Sequence, residues 1–270
     1  MTGSMLHVAS AGADNASAVV LLHSIATSAA MWEAQIAGLA SHYRVFAIDL
    51  PGHGLSAPLA GEPAIADYAE AVIATLDSLC VSRAAVVGLS FGSMIAQHIG
   101  AHFPDRVSAL VLSNGVAWAA PAVSALWQER IAEAERNGMA SQVEPTLARW
   151  FTEAFRSTHA DKVARIRKLV AATSLQGYRQ AALAIAALDN RPLLSRITAP
   201  TMLIAGEADG AAPASAIAAM AEDIPGARLT VLPGAHLLNV ELAEEYSRTL
   251  DAFLGEAPGV NSPETGRGLD

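Results

Sequence analysis

Short, β-branched apolar runs alternate along this chain with longer alanine-rich stretches whose apolar residues recur at helical spacing. The runs at 18–23, 44–49, 84–89, 107–113, 201–205 and 228–232 are nearly continuous in apolar character, as in strands covered on both faces. A further stretch at 5–9 reads as an antiparallel edge strand. Helical spacing over 30–40, 65–79, 91–102, 214–221 and 243–253 fills most of the intervals. This alternation predicts an α/β fold: a mostly parallel, twisted sheet with helices on both faces.

The rhythm breaks between 116 and 196, where no strand pattern occurs and helical patterns run over 126–137, 143–155, 162–173 and 178–188. One reading makes these ordinary sheet-covering helices of a larger fold. The simpler one is an all-helical cap inserted between two parallel strands, over the strand ends where open α/β sheets bind ligands. The expected organisation is a core of 1–115 and 197–256, a helical cap of 116–196 and a disordered tail of 257–270, rich in Gly, Pro, Ser and charge.

Composition narrows the classes of function. With 270 residues, 52% hydrophobic and 16% charged, the chain can bury a sizeable core without a disulfide or metal staple. Seventeen Lys and Arg against 26 Asp and Glu give a net charge of −9. Such a field repels phosphate backbones and anionic lipid, so neither nucleic acid nor membrane is an expected partner. The uncharged stretch 84–101 is not a membrane span, because Gly88, Ser90, Gly92, Ser93, Gln97 and His98 interrupt it and it divides into a strand and a helix pattern. Cys80 is the single cysteine, which excludes an intrachain disulfide and a cysteine zinc site. It fits a reducing compartment, and with no signal-like pattern in Met1 to Ala11 the expected location is cytoplasmic. Homo-oligomer formation stays open.

The chemistry centres on Gly88-Leu89-Ser90-Phe91-Gly92, where a strand pattern runs directly into a helix pattern. A serine on so sharp a turn projects above the sheet at a helix N-terminus, where developing negative charge is favoured. Alone the motif is also compatible with a tight turn and an idle serine. A serine hydroxyl needs a base, and the base needs an orienting group. Asp209 follows the run at 201–205 and His236 follows the last run, so both can reach the same sheet edge as Ser90; Glu207 is a rival acid. His98 and His102 have the i, i+4 spacing of metal ligands but lack an acidic third ligand. Backbone N–H groups of Phe91 and of Ile25, in the loop after the first parallel strand, are the expected oxyanion donors.

These residues resemble the α/β-hydrolase superfamily from Ala18 to Leu254, including its chain order Ser, Asp, His and the turn Asp49-Leu50-Pro51-Gly52-His53-Gly54-Leu55-Ser56. Position 90 is serine, whereas epoxide hydrolases and haloalkane dehalogenases of that superfamily use aspartate there. More narrowly, His23-Ser24-Ile25-Ala26-Thr27 with Met31-Trp32, Leu112-Ser113-Asn114, Arg149-Trp150-Phe151-Thr152 and His236-Leu237-Leu238-Asn239-Val240-Glu241 are similar to 3-oxoadipate enol-lactonases. The resemblance implies a serine hydrolase that opens a small lactone through an acyl-enzyme, with no cofactor or metal. The expected substrate-binding residues are Ser24, Trp118, Arg130 and Trp150. Two departures are visible: Ile25-Ala26 stands where those enzymes usually have Leu-Gly, and Trp118 where an arginine suited to a substrate carboxylate is common. A tryptophan there would form an apolar wall suited to a less polar substrate; Arg130 and Arg149 are the candidate carboxylate partners, against the alternative that they are simply solvated. The alternatives are a carboxylesterase of small or aromatic esters, and a catalytically silent ligand-binding protein of the same fold.

Overall fold

A computed structural model describes residues 5–258 and 260. Its sheet contains β1 (Val8–Ala11), β2 (Ala18–Leu22), β3 (Arg44–Ile48), β4 (Ala84–Leu89), β5 (Val107–Ser113), β6 (Thr201–Gly206) and β7 (Arg228–Leu232), in the spatial order β1-β3-β2-β4-β5-β6-β7. All neighbours run parallel except β1, which pairs antiparallel with β3 from Val8↔Ile48 to Ala11↔Val45. Strands β4 and β5 are buried at every residue, as their unbroken apolar runs require. At the edges the sequence reading needs correction. Strand β1 starts three residues later than expected and ends two later, and β7, paired with β6 alone, leaves Leu229 and Val231 exposed.

Helices α1 (Glu33–Leu39), α2 (Ile65–Ser78) and α3 (Phe91–His102) alternate with the first strands, and α3 packs on β2, β4 and β5. Helix α2 starts where Asp67 Oδ2 accepts the Ala64 N–H at 2.7 Å, satisfying one of the donors a helix N-terminus exposes. Between β5 and β6 run α4 (Pro121–Asn137), α5 (Ala140–Trp150), α6 (Glu153–Thr158), α7 (Ala160–Ala172), α8 (Leu175–Ala186) and α9 (Arg191–Leu194). The pattern at 143–155 predicts one helix, but two form. Phe151 is extended, and Thr152 caps α6 by accepting the Phe155 N–H at 3.2 Å.

The insertion leaves and rejoins the core through one narrow neck. Trp118 and Asp189 form an antiparallel bridge, the Ala119 N–H donates to Leu188 O at 3.0 Å, and the Asn190 N–H donates to Ala117 O at 2.7 Å. The Asn190 amide also donates to Met94 O at 2.9 Å, fastening the neck to α3.

Helices α10 (Ala214–Asp223), α11 (Leu238–Glu241) and α12 (Ala243–Glu256) complete the core. The expected disordered tail does not begin at 257: the Ala257 N–H closes α12 on Phe253 O at 3.1 Å, and Ala257 and Val260 are buried. The rest of that tail, 259 and 261–270, lies outside the described residues, as do 1–4. Among the described residues no helix is long and apolar enough to cross a membrane.

Candidate active site

Only Ser90 separates β4 from α3, and it takes φ 56° and ψ −112°, a conformation that non-glycine residues rarely adopt and that costs about 1–3 kcal/mol. The turn is held from both sides: the Ser90 N–H donates to Ser113 O at 2.8 Å and the Gly92 N–H to His23 O at 3.0 Å. The motif's glycines are sterically required. A Cβ on Gly92 would lie 2.1 Å from Leu22 O, and one on Gly88 2.3 Å from Gly92 O. Among the described residues, the Phe91 and Ile25 N–H groups meet no acceptor. Ala26 beside Ile25 has φ 55°, so the loop keeps a left-handed geometry that glycine would adopt more easily.

Behind this loop sit two buried histidines. His23 Nδ1–H donates to Ser24 O at 2.7 Å while its Nε2 accepts the Leu50 N–H at 2.8 Å. His53 Nδ1–H donates to Pro51 O at 3.0 Å. Burial lowers their pKa values to about 4 and about 3, so both rings are neutral spacers.

Beyond β6, Asp209 Oδ1 accepts the N–H groups of Ala211 at 2.7 Å and Ala212 at 3.1 Å. Its Oδ2 lies 2.7 Å from Nδ1 of His236, and both side chains are buried. A carboxylate can only accept, so the ring proton sits on Nδ1 and Nε2 is left with a free lone pair. Glu207, the rival acid, is exposed. Ser90 and His236 line one cavity, although no hydrogen bond joins them among the described residues. Loose contacts of this kind are common before substrate binds. Asn114, at the end of β5, ties the strand ends together: its Nδ2 donates to Ala235 O at 3.1 Å and His236 O at 2.8 Å, and its Oδ1 accepts the Gly206 N–H at 2.8 Å.

The insertion supplies the opposite wall, including Val123, Trp127, Arg130, Thr146, Arg149, Trp150 and Tyr178. Trp150 stacks on the His236 ring, with centroids 6.0 Å apart and planes at 21°. Arg130 lies over the Trp127 ring at 4.7 Å, and Arg149 donates to Thr146 Oγ1 at 3.1 Å. Among the described residues neither arginine forms an ion pair. Burial and the neighbouring Arg130 charge lower the Arg149 pKa to about 10; burial also lowers that of Arg130. Burial raises that of Tyr178, against the pull of the two arginines.

Two expected substrate residues stand elsewhere. Trp118 is 41% exposed, because the bridge to Asp189 turns its ring outward, where Arg191 covers it at 4.2 Å. Ser24 is buried outside the cavity lining, its N–H directed at Met31 Sδ. His98 and His102 stack at 4.1 Å on α3; among the described residues, no group of three metal-ligating side chains forms. The sequence reading missed Asn114 and Tyr178 as site residues. Asn114 had a signal, its place one residue past a strand end, while Tyr178 offered only helical spacing.

A family model described as alpha/beta hydrolase fold matches residues 17–241. Among curated relatives, 3-oxoadipate enol-lactonase 1 of Acinetobacter baylyi is 31% identical over 254 residues, covering 93% of this chain and 94% of its own. Enol-lactonase 2 of the same organism is 30% identical, with 92% of each chain covered. Among solved structures, the enol-lactonase from Burkholderia xenovorans superposes with a TM-score of 0.90 at 33% identity, over 93% of this chain and 96% of that one. A hydrolase from Pseudomonas aeruginosa gives 0.88 at 37% identity, over 93% and 94%. With its sheet order, its strained serine between β4 and α3, and these matches along nearly its whole length, the chain belongs to the α/β-hydrolase family.

Proposed function

We propose that this protein is a serine hydrolase that opens a small, carboxylate-bearing lactone. The observation that carries the substrate class is the pair Arg130 and Arg149, which share a cavity with Ser90 and His236 and have no acid among the described residues to neutralise them. Arg130 and Arg149 are half-buried and close enough for the Arg130 charge to disfavour that of Arg149, and an anionic ligand relieves that repulsion. The enol-lactonase relatives agree with this reading.

In the proposed reaction, His236 Nε2 takes the Ser90 hydroxyl proton as Oγ attacks the lactone carbonyl. Asp209 holds the Nδ1–H tautomer and stabilises the imidazolium. The Ile25 and Phe91 N–H groups receive the tetrahedral oxyanion. The ring C–O bond then breaks, and the departing enol oxygen, still part of the same acyl chain, takes the proton from His236. Water, deprotonated by the same nitrogen, releases the open acid from Ser90. The helical insertion acts as the cap that places the carboxylate.

The deciding experiment compares turnover of 3-oxoadipate enol-lactone with that of its neutral methyl ester, using the intact chain and Ser90→Ala. The free acid should be the better substrate, and Ser90→Ala should lose about 10⁴-fold or more in kcat. Preference for the neutral ester would replace this reading with a carboxylesterase. Failure of the parent protein to react with a fluorophosphonate would replace it with a ligand-binding role.

A further inference from the structure

We propose that Glu241 is a positioning residue that locks the loop bearing His236 to the helical insertion, so that the imidazole is set by the insertion as well as by Asp209. The inference rests on His236 being the base of the proposed reaction. Helix α11 is a single turn, closed by the Val240 and Glu241 N–H groups on Leu237 O at 3.0 and 2.9 Å. That turn folds the Glu241 side chain back beneath its own loop. Oε2 accepts the Ala235 N–H at 2.9 Å, while Oε1 accepts the Thr152 N–H at 3.2 Å and the Thr152 hydroxyl.

Thr152 belongs to the insertion, at the break between α5 and α6. Two residues before it, Trp150 O accepts the N–H groups of His236 and Leu237, each at 3.1 Å. Three consecutive donors, on Ala235, His236 and Leu237, are therefore held by this carboxylate or by the insertion's backbone. On the other side, Asn114 holds the carbonyls of Ala235 and His236. The Trp150 ring packed on the imidazole completes the grip. Lifting segment 150–152 away would break the contacts that fix the His236 backbone.

Only a carboxylate answers the Ala235 N–H, the Thr152 N–H and the Thr152 hydroxyl together. A glutamine of the same shape presents one oxygen and one NH₂ group, so a donor would face either Ala235 or Thr152 and that arm would open. Displacing a catalytic group by about 1 Å can cost about 10²-fold in rate.

The test uses the full chain with Glu241→Gln, Thr152→Val and the double variant. It reads kcat, KM, Tm and the solvent exchange of the His236 Nδ1 proton by low-field proton NMR. Glu241→Gln should lower kcat about 10- to 100-fold with KM within about twofold, and the Nδ1 proton should exchange faster. Thr152→Val should cause a smaller loss of kcat, with a Tm drop of its own from the lost α6 cap; the kcat of the double variant should fall no further than that of Glu241→Gln, because both open the same joint. If Glu241→Gln does not fold, Thr152→Val carries the same test alone. Unchanged kcat and unchanged proton exchange in a folded variant would overturn the proposal. So would a kcat loss matched by Phe253→Leu, a control that lowers Tm from the C-terminal half of α12. Should Ser90→Ala leave turnover intact, the hydrolase reading falls while the proton exchange still decides the role of Glu241.

Discussion

The two walls of the cavity are built on opposite principles. On the sheet side the polar groups around the histidine are answered: Asp209 takes two backbone N–H groups and the imidazole, and Asn114 spends its amide on three strand-end partners. On the insertion side, Arg130 and Arg149 project charge into the cavity with no acid opposite them among the described residues. A finished network holds its geometry before substrate arrives, as transition-state stabilisation requires. An unfinished one is completed by whatever enters, as selection among substrates requires. On the proposed reading, reaction type and substrate choice lie on different segments of one chain.

Substitutions can break either wall separately. The largest effect belongs to the sheet side: Asp209→Asn should lower kcat about 10⁴-fold with the fold retained, because an amide no longer enforces the Nδ1–H tautomer. Circular dichroism and steady-state kinetics would check both halves of that outcome. An effect confined to one substrate is expected on the insertion side. Arg149→Gln should reduce kcat/KM for the carboxylated lactone by about 10- to 100-fold, the worth of a charge-assisted hydrogen bond, and leave the neutral methyl ester within about twofold. Equal losses on both substrates would remove the distinction between the walls.

Acid should act on the sheet side first. His23 and His53 have folded pKa values of about 4 and about 3, below the 6.5 of an unfolded histidine. The unfolded chain then binds more protons over that interval. The stability from these neutral rings is complete above pH 6.5 and is lost as pH falls toward 4 and then 3. The slope is at most about 1.4 kcal/mol per pH unit for each ring. Thermal melts of the parent and of His53→Gln across this range should differ, with the variant showing the shallower acid decline.

How far the sequence could be read follows the same division. Strands β4 and β5 and the Ser90 turn were legible because burial on both faces writes an unbroken apolar run, and close backbone approach writes glycine at 88 and 92. That the side chains of Asp209 and His236 meet on the Ser90 edge of the sheet was legible because each lies just past a strand end. The insertion was legible as helices but not as a surface. Trp118 was expected at the substrate because it stands where the resembled enzymes carry an arginine, but its bridge to Asp189 sends the ring to solvent. That no acid among the described residues pairs with Arg130 or Arg149 is a property of what stands opposite in space. Glu241 meets Thr152 across 89 residues, a separation with no periodic signature.

The neck at Trp118 and Asp189 has a consequence for how such a protein can change through descent. Because the inserted stretch departs and returns at adjacent points, it can lengthen, shorten or be replaced wholesale without rethreading any strand. A lineage could acquire a new diet by rewriting that module while inheriting its chemistry intact. Limits on such exchange are the short stretch around Thr152 and the places where Ser174 and Gln180 bond the core at Gly52, Leu59 and Gly61.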